Sequence, residues 1–391
     1  MTPAARLQAA AEILDEVIAS AKGDGPPADT IVTRYFKARR YAGSKDRRAV
    51  RELVFRGIRR SAEVPASGRA AILGLSEDEP QLRELFGQPR GPEPLGKEEA
   101  AAPVGLVPEW LEPELSPLVG EAEWPALLER APLDLRVNAA RTTREEMLGE
   151  FEGASATTLS PWGIRLPADT RIDDHPAFQA GLIEVQDEGS QLIALACSPA
   201  AGQRILDLCA GAGGKALALA AAAQEATILA TDVNRARLAQ LPARAERAGV
   251  AIETRLLNPP REVGDLADWR ESADVVLVDA PCSGSGTWRL NPEGRWRLTP
   301  ERLDRLVAAQ QRLLDIGAQM VKPGGRLIYA VCSLLSREGA GQIEDFLSSR
   351  SSWHVQEPEI AGGRVDGSGR LLTPAHDGTD GFFIARVARP C

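Results

Sequence analysis

Two cysteines and one aspartate stand out by type and setting. Asp279-Ala-Pro-Cys282-Ser-Gly-Ser-Gly286 and Cys332-Ser333 each follow directly on a short apolar run, Asp274–Asp279 and Arg326–Val331. A thiolate is a strong nucleophile toward an electron-poor ring position, and one reaction that needs it is methylation of carbon 5 of a cytosine, itself too poor a nucleophile. That carbon accepts no methyl group unaided, but a thiolate adding at carbon 6 makes an enamine that pushes density onto carbon 5. An acid such as Asp279 can hydrogen-bond the N3/N4 edge of the base. Afterwards a base must remove the carbon-5 proton so that the cysteine can leave. Cys282 and Cys332 fit the nucleophile and base roles, and their spacing leaves open which takes which. The other three cysteines read differently. Cys197 and Cys391 are lone and behave as small apolar residues, and Cys209, inside the glycine loop, reads as a packing residue lining the site.

The elements that must position this chemistry are short strands alternating with helices. Arg204–Leu208, Thr227–Thr231, Asp274–Asp279 and Arg326–Val331 are strand-like. Arg235–Ala248 and Pro300–Val321 carry helical patterns, the second with Thr299 as cap and Pro300 at the first helical position. Such alternation implies a parallel sheet with helices on both faces, with its site beyond the carboxyl ends of the strands. Both cysteines then reach one edge although far apart in sequence. The loop Cys209-Ala210-Gly211-Ala212-Gly213-Gly214-Lys215 arrives at the same edge, its glycines allowing a tight turn and close approach to a ligand. Asp232 ends the next strand, where a carboxylate can bind ribose hydroxyls. Adjacent Gly213 and Gly214 break the dinucleotide fingerprint. Strand, loop and acid favour a nucleoside cofactor, and the cysteine chemistry selects S-adenosyl-L-methionine.

The rest of the 391-residue chain sets the context. Its net charge of −9 argues against a nucleic-acid partner until the distribution is considered. Between Ile31 and Arg60, the basic residues Arg34, Lys37, Arg39, Arg40, Lys45, Arg47, Arg48, Arg51, Arg56, Arg59 and Arg60 oppose only Asp46 and Glu52. A cluster this dense reads as a phosphate-binding footprint. Helical spacing of Leu7, Ala10, Leu14, Val17 and Ile18 is followed by a break at Gly23–Pro27. Two more amphipathic stretches follow, around Ile31–Phe36 and Val50–Ile58, with Ser44 a cap for the latter. Gly87–Pro117 is rich in glycine and proline, as in a connection. Val137, Ile164, Leu166 and Ile183 fall in short strands of a mixed region. These shifts give three expected domains: 1–125 helical, 126–198 a small α+β subdomain, and 199–391 the Rossmann-like part. Scattered cysteines and three histidines speak against a metal site, and free thiols suit a reducing cytoplasm. No apolar run suits a membrane span, the start lacks a signal-peptide pattern, and a monomer is expected.

Taken together, Asp207–Lys215, Asp279–Gly286 and Cys332-Ser333 resemble the RNA cytosine-5 methyltransferase family, the RsmB and NSUN group. Supporting stretches are Leu135-Arg-Val-Asn138, Val185-Gln-Asp-Glu188, Arg289–Trp296 and Lys322-Pro-Gly-Gly325. The start, especially Tyr41–Arg60, is similar to the NusB-like RNA-binding domain of bacterial RsmB-type enzymes. The resemblance implies a class I methyltransferase sheet and action on small-subunit ribosomal RNA. It implies Cys332 as the nucleophile, Cys282 assisting proton removal and release, and Asp279 touching both base and cofactor. It also implies that Cys209–Lys215 and Asp232 hold the cofactor, with Asn258 near its adenine. The chain departs from the pattern at Gly211-Ala212, where Ala-Pro is usual, at Asn258, where aspartate is common, and at Glu338-Gly339, where Glu-Asn is usual.

Four rival readings remain. DNA cytosine-5 enzymes place their nucleophile in a Pro-Cys pair, which would nominate Cys282. Asn258-Pro259-Pro260 resembles an amino-methylation motif, but Arg261 fills the aromatic position and the strand is wrong. Transfer RNA is an alternative substrate. A non-catalytic ribosome-assembly factor could keep the fold, although the intact cysteines, Asp279 and glycine loop count against it. Trp288, Arg289 and Arg295 either hold the base or pack their loop.

Overall fold

The computed structural model describes residues 1–23 and 25–391; Asp24, within the expected break, lies outside them. The chain divides into two compact units. One comprises Met1–Glu114, Trp124–Glu129 and Thr287–Pro300, and the other Leu115–Glu123, Arg130–Gly286 and Glu301–Cys391.

The first unit is all-helical around α1 (Pro3–Ala21), α2 (Ala28–Lys37), α3 (Ser44–Arg60) and α4 (Gly68–Asp78). The apolar residues at helical spacing in α1 are all buried, and they pack with Ile31, Val50, Val54, Ile58 and Ile72. Ser44 is not the cap of α3: the helix starts at Ser44 itself and Gly43 takes the cap position, with no side-chain bond. Helix α4 escaped the sequence reading. Ser67 caps its start, the hydroxyl accepting from Ala70 N–H at 3.1 Å. Gly68 allows α4 to sit against α1, since a Cβ there would collide with the Ala11 carbonyl.

Residues 287–300 join this unit from the far end of the sequence. Trp296 is buried in the helical core, and its indole N–H donates to Ser61 O at 2.9 Å. Arg295, 1% exposed, donates to the carbonyls of Ile58 and Ser61 at 2.7 and 3.2 Å, at the end of α3. Glu293 accepts from Ala28 N–H at 2.9 Å at the start of α2. A cation at a helix C-terminus and an anion at an N-terminus complement the backbone dipoles. Trp288, Arg289 and Arg295 are all buried in this unit, so the packing role holds for them.

The second unit carries two sheets. The small one contains β1 (Leu133–Val137), β2 (Ser155–Ala156), β3 (Gly163–Leu166) and β4 (Ile183–Val185), antiparallel in the order β2-β3-β1-β4. The large one contains β5 (Arg204–Asp207), β6 (Thr227–Asp232), β7 (Glu253–Leu256), β8 (Ala273–Asp279), β9 (Val321–Val331), β10 (His354–Gln356), β11 (Arg364–Asp366), β12 (Gly369–Leu372) and β13 (Phe382–Ala388). Its order is β11-β12-β13-β9-β8-β5-β6-β7, with β10 also paired to β13. Strands β5 to β9 pair in parallel, and β13 runs antiparallel to β9. Near-continuous apolar strands such as Val275–Val278 are buried, as a sheet covered on both faces requires.

The long helix Pro300–Met320 matches its sequence pattern. The expected helix Arg235–Ala248 does not run unbroken. It splits into Arg235–Leu238 and Leu241–Ala248, because Pro242 lacks the N–H to continue a helix and suits the first turn of a new one.

Candidate active site at the carboxyl edge of the sheet

Parallel pairing of β5 with both β6 and β8 puts the crossover reversal at β5, and ligands in such sheets bind beyond the strand ends at that point. Asp207, Asp232 and Asp279 end β5, β6 and β8, and Cys332 follows β9. A cavity of about 510 Å³ opens there, with Cys209, Asp232, Asp279, Cys282 and Cys332 in its wall.

The two thiols meet. Cys282 Sγ and Cys332 Sγ lie 3.3 Å apart, at hydrogen-bond distance and unbonded covalently. Two sulfurs this close do not both ionise, because the first negative charge opposes the second. Hydrogen bonding to Cys332, followed by burial, pushes the Cys282 thiol well above its ordinary range.

Beside them, Lys215 Nζ donates to Asp279 Oδ2 at 2.7 Å. Burial pulls the Lys215 ammonium down, but the Asp279 carboxylate and the nearby Cys332 sulfur outweigh it, so its pKa is raised. A fixed cation thus stands where negative charge on Cys332 is favourable. Cys209 is different: burial, then the Asp207 carboxyl, raise its pKa far up, as befits an inert packing thiol.

A buried carboxylate joins the two cysteine loops. Glu338, fully buried, accepts from Ser283 N–H at 2.9 Å, from Gln310 Nε2 at 2.9 Å and from Ser333 Oγ at 2.6 Å. Gln310 also donates to Pro281 O at 2.9 Å. Each loop residue next to a cysteine, Ser283 and Ser333, is thereby tied to one side chain. In the sequence Glu338 stood out only as half of the Glu338-Gly339 pair, with no role assigned, because two of its partners, Ser283 and Gln310, lie on distant segments.

On the cofactor side, Gly211 and Gly213 adopt left-handed backbone angles, φ +58° and +88°. Asp232 accepts from Gly211 N–H at 2.8 Å and Asn234 N–H at 2.6 Å, which aims its carboxylate and leaves lone pairs for hydroxyl donors. Leu257, Leu313 and Ile316 supply apolar wall. A carboxylate beside an apolar slot fits a nucleoside with a ribose diol, so the residues present suit S-adenosylmethionine. Ala210, Ala212, Gly214 and Lys215 build the turn and helix start without lining the cavity. Asn258 lies apart from it: its amide donates to Asp265 at 3.1 Å, and Leu257 lines the wall instead. Arg237 and Glu262, which the sequence reading did not single out, also line it.

Fold and site together define a class I S-adenosylmethionine-dependent methyltransferase. The model of the family 16S rRNA methyltransferase RsmB/F matches residues 194–388. The ribosomal RNA small subunit methyltransferase B of Xylella fastidiosa strain 9a5c is 35% identical over 277 residues, covering 69% of this chain and 65% of that protein. Its namesake from Enterobacter sp. strain 638 is 33% identical over 295 residues, covering 73% and 67%. The chain thus spans about two thirds of the length of these relatives. Among solved structures, PH0851 superposes with a TM-score of 0.75 at 22% identity over 99% of both chains. A methyltransferase homolog from Pyrococcus horikoshii gives 0.59 at 26% identity, over 68% of this chain and 89% of its own. The chain belongs to the RsmB/NSUN family of RNA cytosine-5 methyltransferases.

Among the described residues no helix is long and apolar enough to cross a membrane, and no group of three or more His, Cys, Asp or Glu could hold a metal ion.

Proposed function

We propose that this chain methylates carbon 5 of a cytosine in small-subunit ribosomal RNA, with Cys332 as the attacking thiol and Cys282 as its partner in release. The observation that carries the reading is the pair of cysteine sulfurs 3.3 Å apart at the carboxyl edge of the sheet, beside the Lys215–Asp279 ion pair. S-adenosylmethionine supplies an electrophilic methyl group when bound. Asp232 would hold its ribose hydroxyls, and the Cys209–Lys215 turn would take its amino-acid end.

The cytosine must leave its stack or lie in a single-stranded loop, because attack comes from above the ring. Asp279, fixed by Lys215, accepts from the N4 amino group of the base. Cys332 Sγ bonds to carbon 6, and the ring's electron pair moves to carbon 5, which takes the methyl group. Once Cys332 is a thioether, no thiolate charge beside Cys282 opposes its ionisation. Cys282 can then ionise and remove the carbon-5 proton, the carbon 5–carbon 6 double bond re-forms, and Cys332 departs as a thiolate.

The helical N-terminal part would grip the RNA backbone as a NusB-like module, and the working unit would be a monomer in the reducing cytoplasm. The test is incubation with unmodified ribosomal RNA and labelled S-adenosylmethionine. The wild-type protein incorporates label, Cys282→Ala accumulates a denaturant-stable protein–RNA adduct, and Cys332→Ala forms none. An adduct in Cys332→Ala but not in Cys282→Ala would reverse the roles. No incorporation at all would favour an assembly factor.

A further inference from the structure

Five of the eleven basic residues between Ile31 and Arg60 have described ion pairs to acids outside that segment, Arg39 to Glu12 at 3.5 Å among them. Arg34 pairs with Glu16 at 2.9 Å, Arg51 with Asp29 at 2.7 Å, Arg60 with Glu77 and Asp78 at 2.6 and 2.9 Å, and Arg56 with Glu79. These acids lie outside the Ile31–Arg60 segment, so the segment looked more uniformly cationic in sequence than it is. Lys37, Arg40, Lys45 and Arg48 are exposed and without an ion pair or hydrogen bond among the described interactions, while Arg47 donates to the Ala42 carbonyl at 2.9 Å. All four surround the α2–α3 turn. That turn carries Tyr41, 75% exposed and the one aromatic among the large exposed hydrophobic side chains of the described residues.

Tyr41 stands at a cleft of about 490 Å³ that also takes in Tyr35, Arg39 and Arg90. Arg90 is exposed and likewise without an ion pair. The cleft is ordered from within. Tyr35 OH donates to Glu12 at 2.6 Å, and burial, then this bond, raise the phenol's pKa so that it stays a donor. The Arg39 guanidinium lies on the Tyr35 ring, 3.6 Å from its centroid. With one face on Tyr35 and an ion pair to Glu12 at 3.5 Å, that guanidinium is a flat group fixed at the cleft wall. A tyrosine left in water, a stacked guanidinium and unpaired cations around them form the combination that binds single-stranded nucleic acid. Bases stack on rings and guanidinium planes while cations take the phosphates.

We propose that the Tyr41 cleft is a second RNA site, holding an unpaired nucleobase on Tyr41 with its flanking phosphates on Lys37, Arg40, Lys45, Arg48 and Arg90. The proposal rests on the RNA substrate reading above. The site reads stacking rather than base identity, so its ligand class is an unstructured RNA segment. An acidic protein surface would use the same cations without the ring.

The test is fluorescence anisotropy with the full chain, no cofactor, and a labelled single-stranded RNA of about twelve nucleotides. Tyr41→Ala should weaken binding about five- to a hundred-fold, as loss of one stacked base does, while leaving the salt dependence unchanged. Tyr41→Trp should hold or tighten it. Lys37→Ala and Arg48→Ala should each weaken binding and lower the slope of log affinity against log salt by about 0.7. Equal melting temperatures of the variants, expected because these side chains are exposed, separate binding from folding. Wild-type affinity in Tyr41→Ala would overturn the site, and so would a duplex competing as well as the single strand. A wild-type protein that binds this RNA through Tyr41 yet transfers no methyl group would refute the activity and leave the cleft standing.

Discussion

At the residue scale, the candidate site residues sit where their strands end, and that made them legible. Asp207, Asp232, Asp279 and Cys332 each close or follow an apolar run, and an apolar run that stops at a polar residue is readable without coordinates. Their charge states were not readable. Asp207 is buried with both carboxyl oxygens lacking a hydrogen-bond partner, and burial, then the Asp279 charge, push its pKa up to about 7. The ordinary value is near 4, so between about pH 4 and pH 7 the folded chain holds a proton that the unfolded chain releases. That proton stabilises the fold fully at low pH, and its contribution is lost as pH rises through 7. Asp207→Asn, which stays neutral at every pH, should therefore gain stability over the wild type at pH 8 relative to pH 5, by up to a few kcal/mol. Urea unfolding at the two pH values measures this, and an unchanged difference between the proteins would mean Asp207 is ionised and satisfied in the fold.

At the element scale, what the sequence could not display is the tie between the two cysteine loops. Ser283, Gln310 and Ser333 belong to a loop, a helix and a strand end, and only the fold brings them to Glu338. Asn258 shows the same limit in reverse. Its position after β7 was legible, but the turn commits its amide to Asp265 and offers Leu257 to the cavity. Glu338→Ala would take the carboxylate acceptor from the Ser283 N–H, one Gln310 N–H and the Ser333 hydroxyl, a loss of about 2–4 kcal/mol. It would also free the loops to part. The expected result is a fall in kcat of about a hundred-fold with little change in KM. Disulfide formation between Cys282 and Cys332 under diamide should slow as well. Glu338→Gln keeps an acceptor oxygen for Ser283 and Gln310 and should restore most of both. If Glu338→Ala loses stability while kcat and the oxidation rate hold, the carboxylate braces the fold without setting the cysteine geometry.

At the scale of the whole molecule, the helical unit is completed by a segment that sequence order assigns elsewhere. Periodicity identified α1 to α3, and the basic cluster marked their surface, but nothing local in Arg289–Trp296 announces that it packs among helices hundreds of positions upstream. Its residue types are those of a loop near an active site, and only their burial decides the matter. Trp296 fills the helical core, Arg295 caps α3 and Glu293 caps α2. Burial, then the charge of Arg59, lower the Arg295 guanidinium to about 9, still charged near neutral pH, so its carbonyl partners are what make its burial tolerable. A fragment of residues 1–125 therefore lacks a large core side chain and both helix-end charges. Loss of a buried tryptophan alone removes about 3–5 kcal/mol, comparable to the whole stability of a small domain. The fragment should show helical circular dichroism but a broad, low thermal transition. A peptide of residues 287–300 added in trans should sharpen that transition and raise it, and a peptide with Trp296→Ala and Arg295→Ala should not. A fragment that melts cooperatively and ignores the peptide would show that the helical unit owes its stability to residues 1–125 alone.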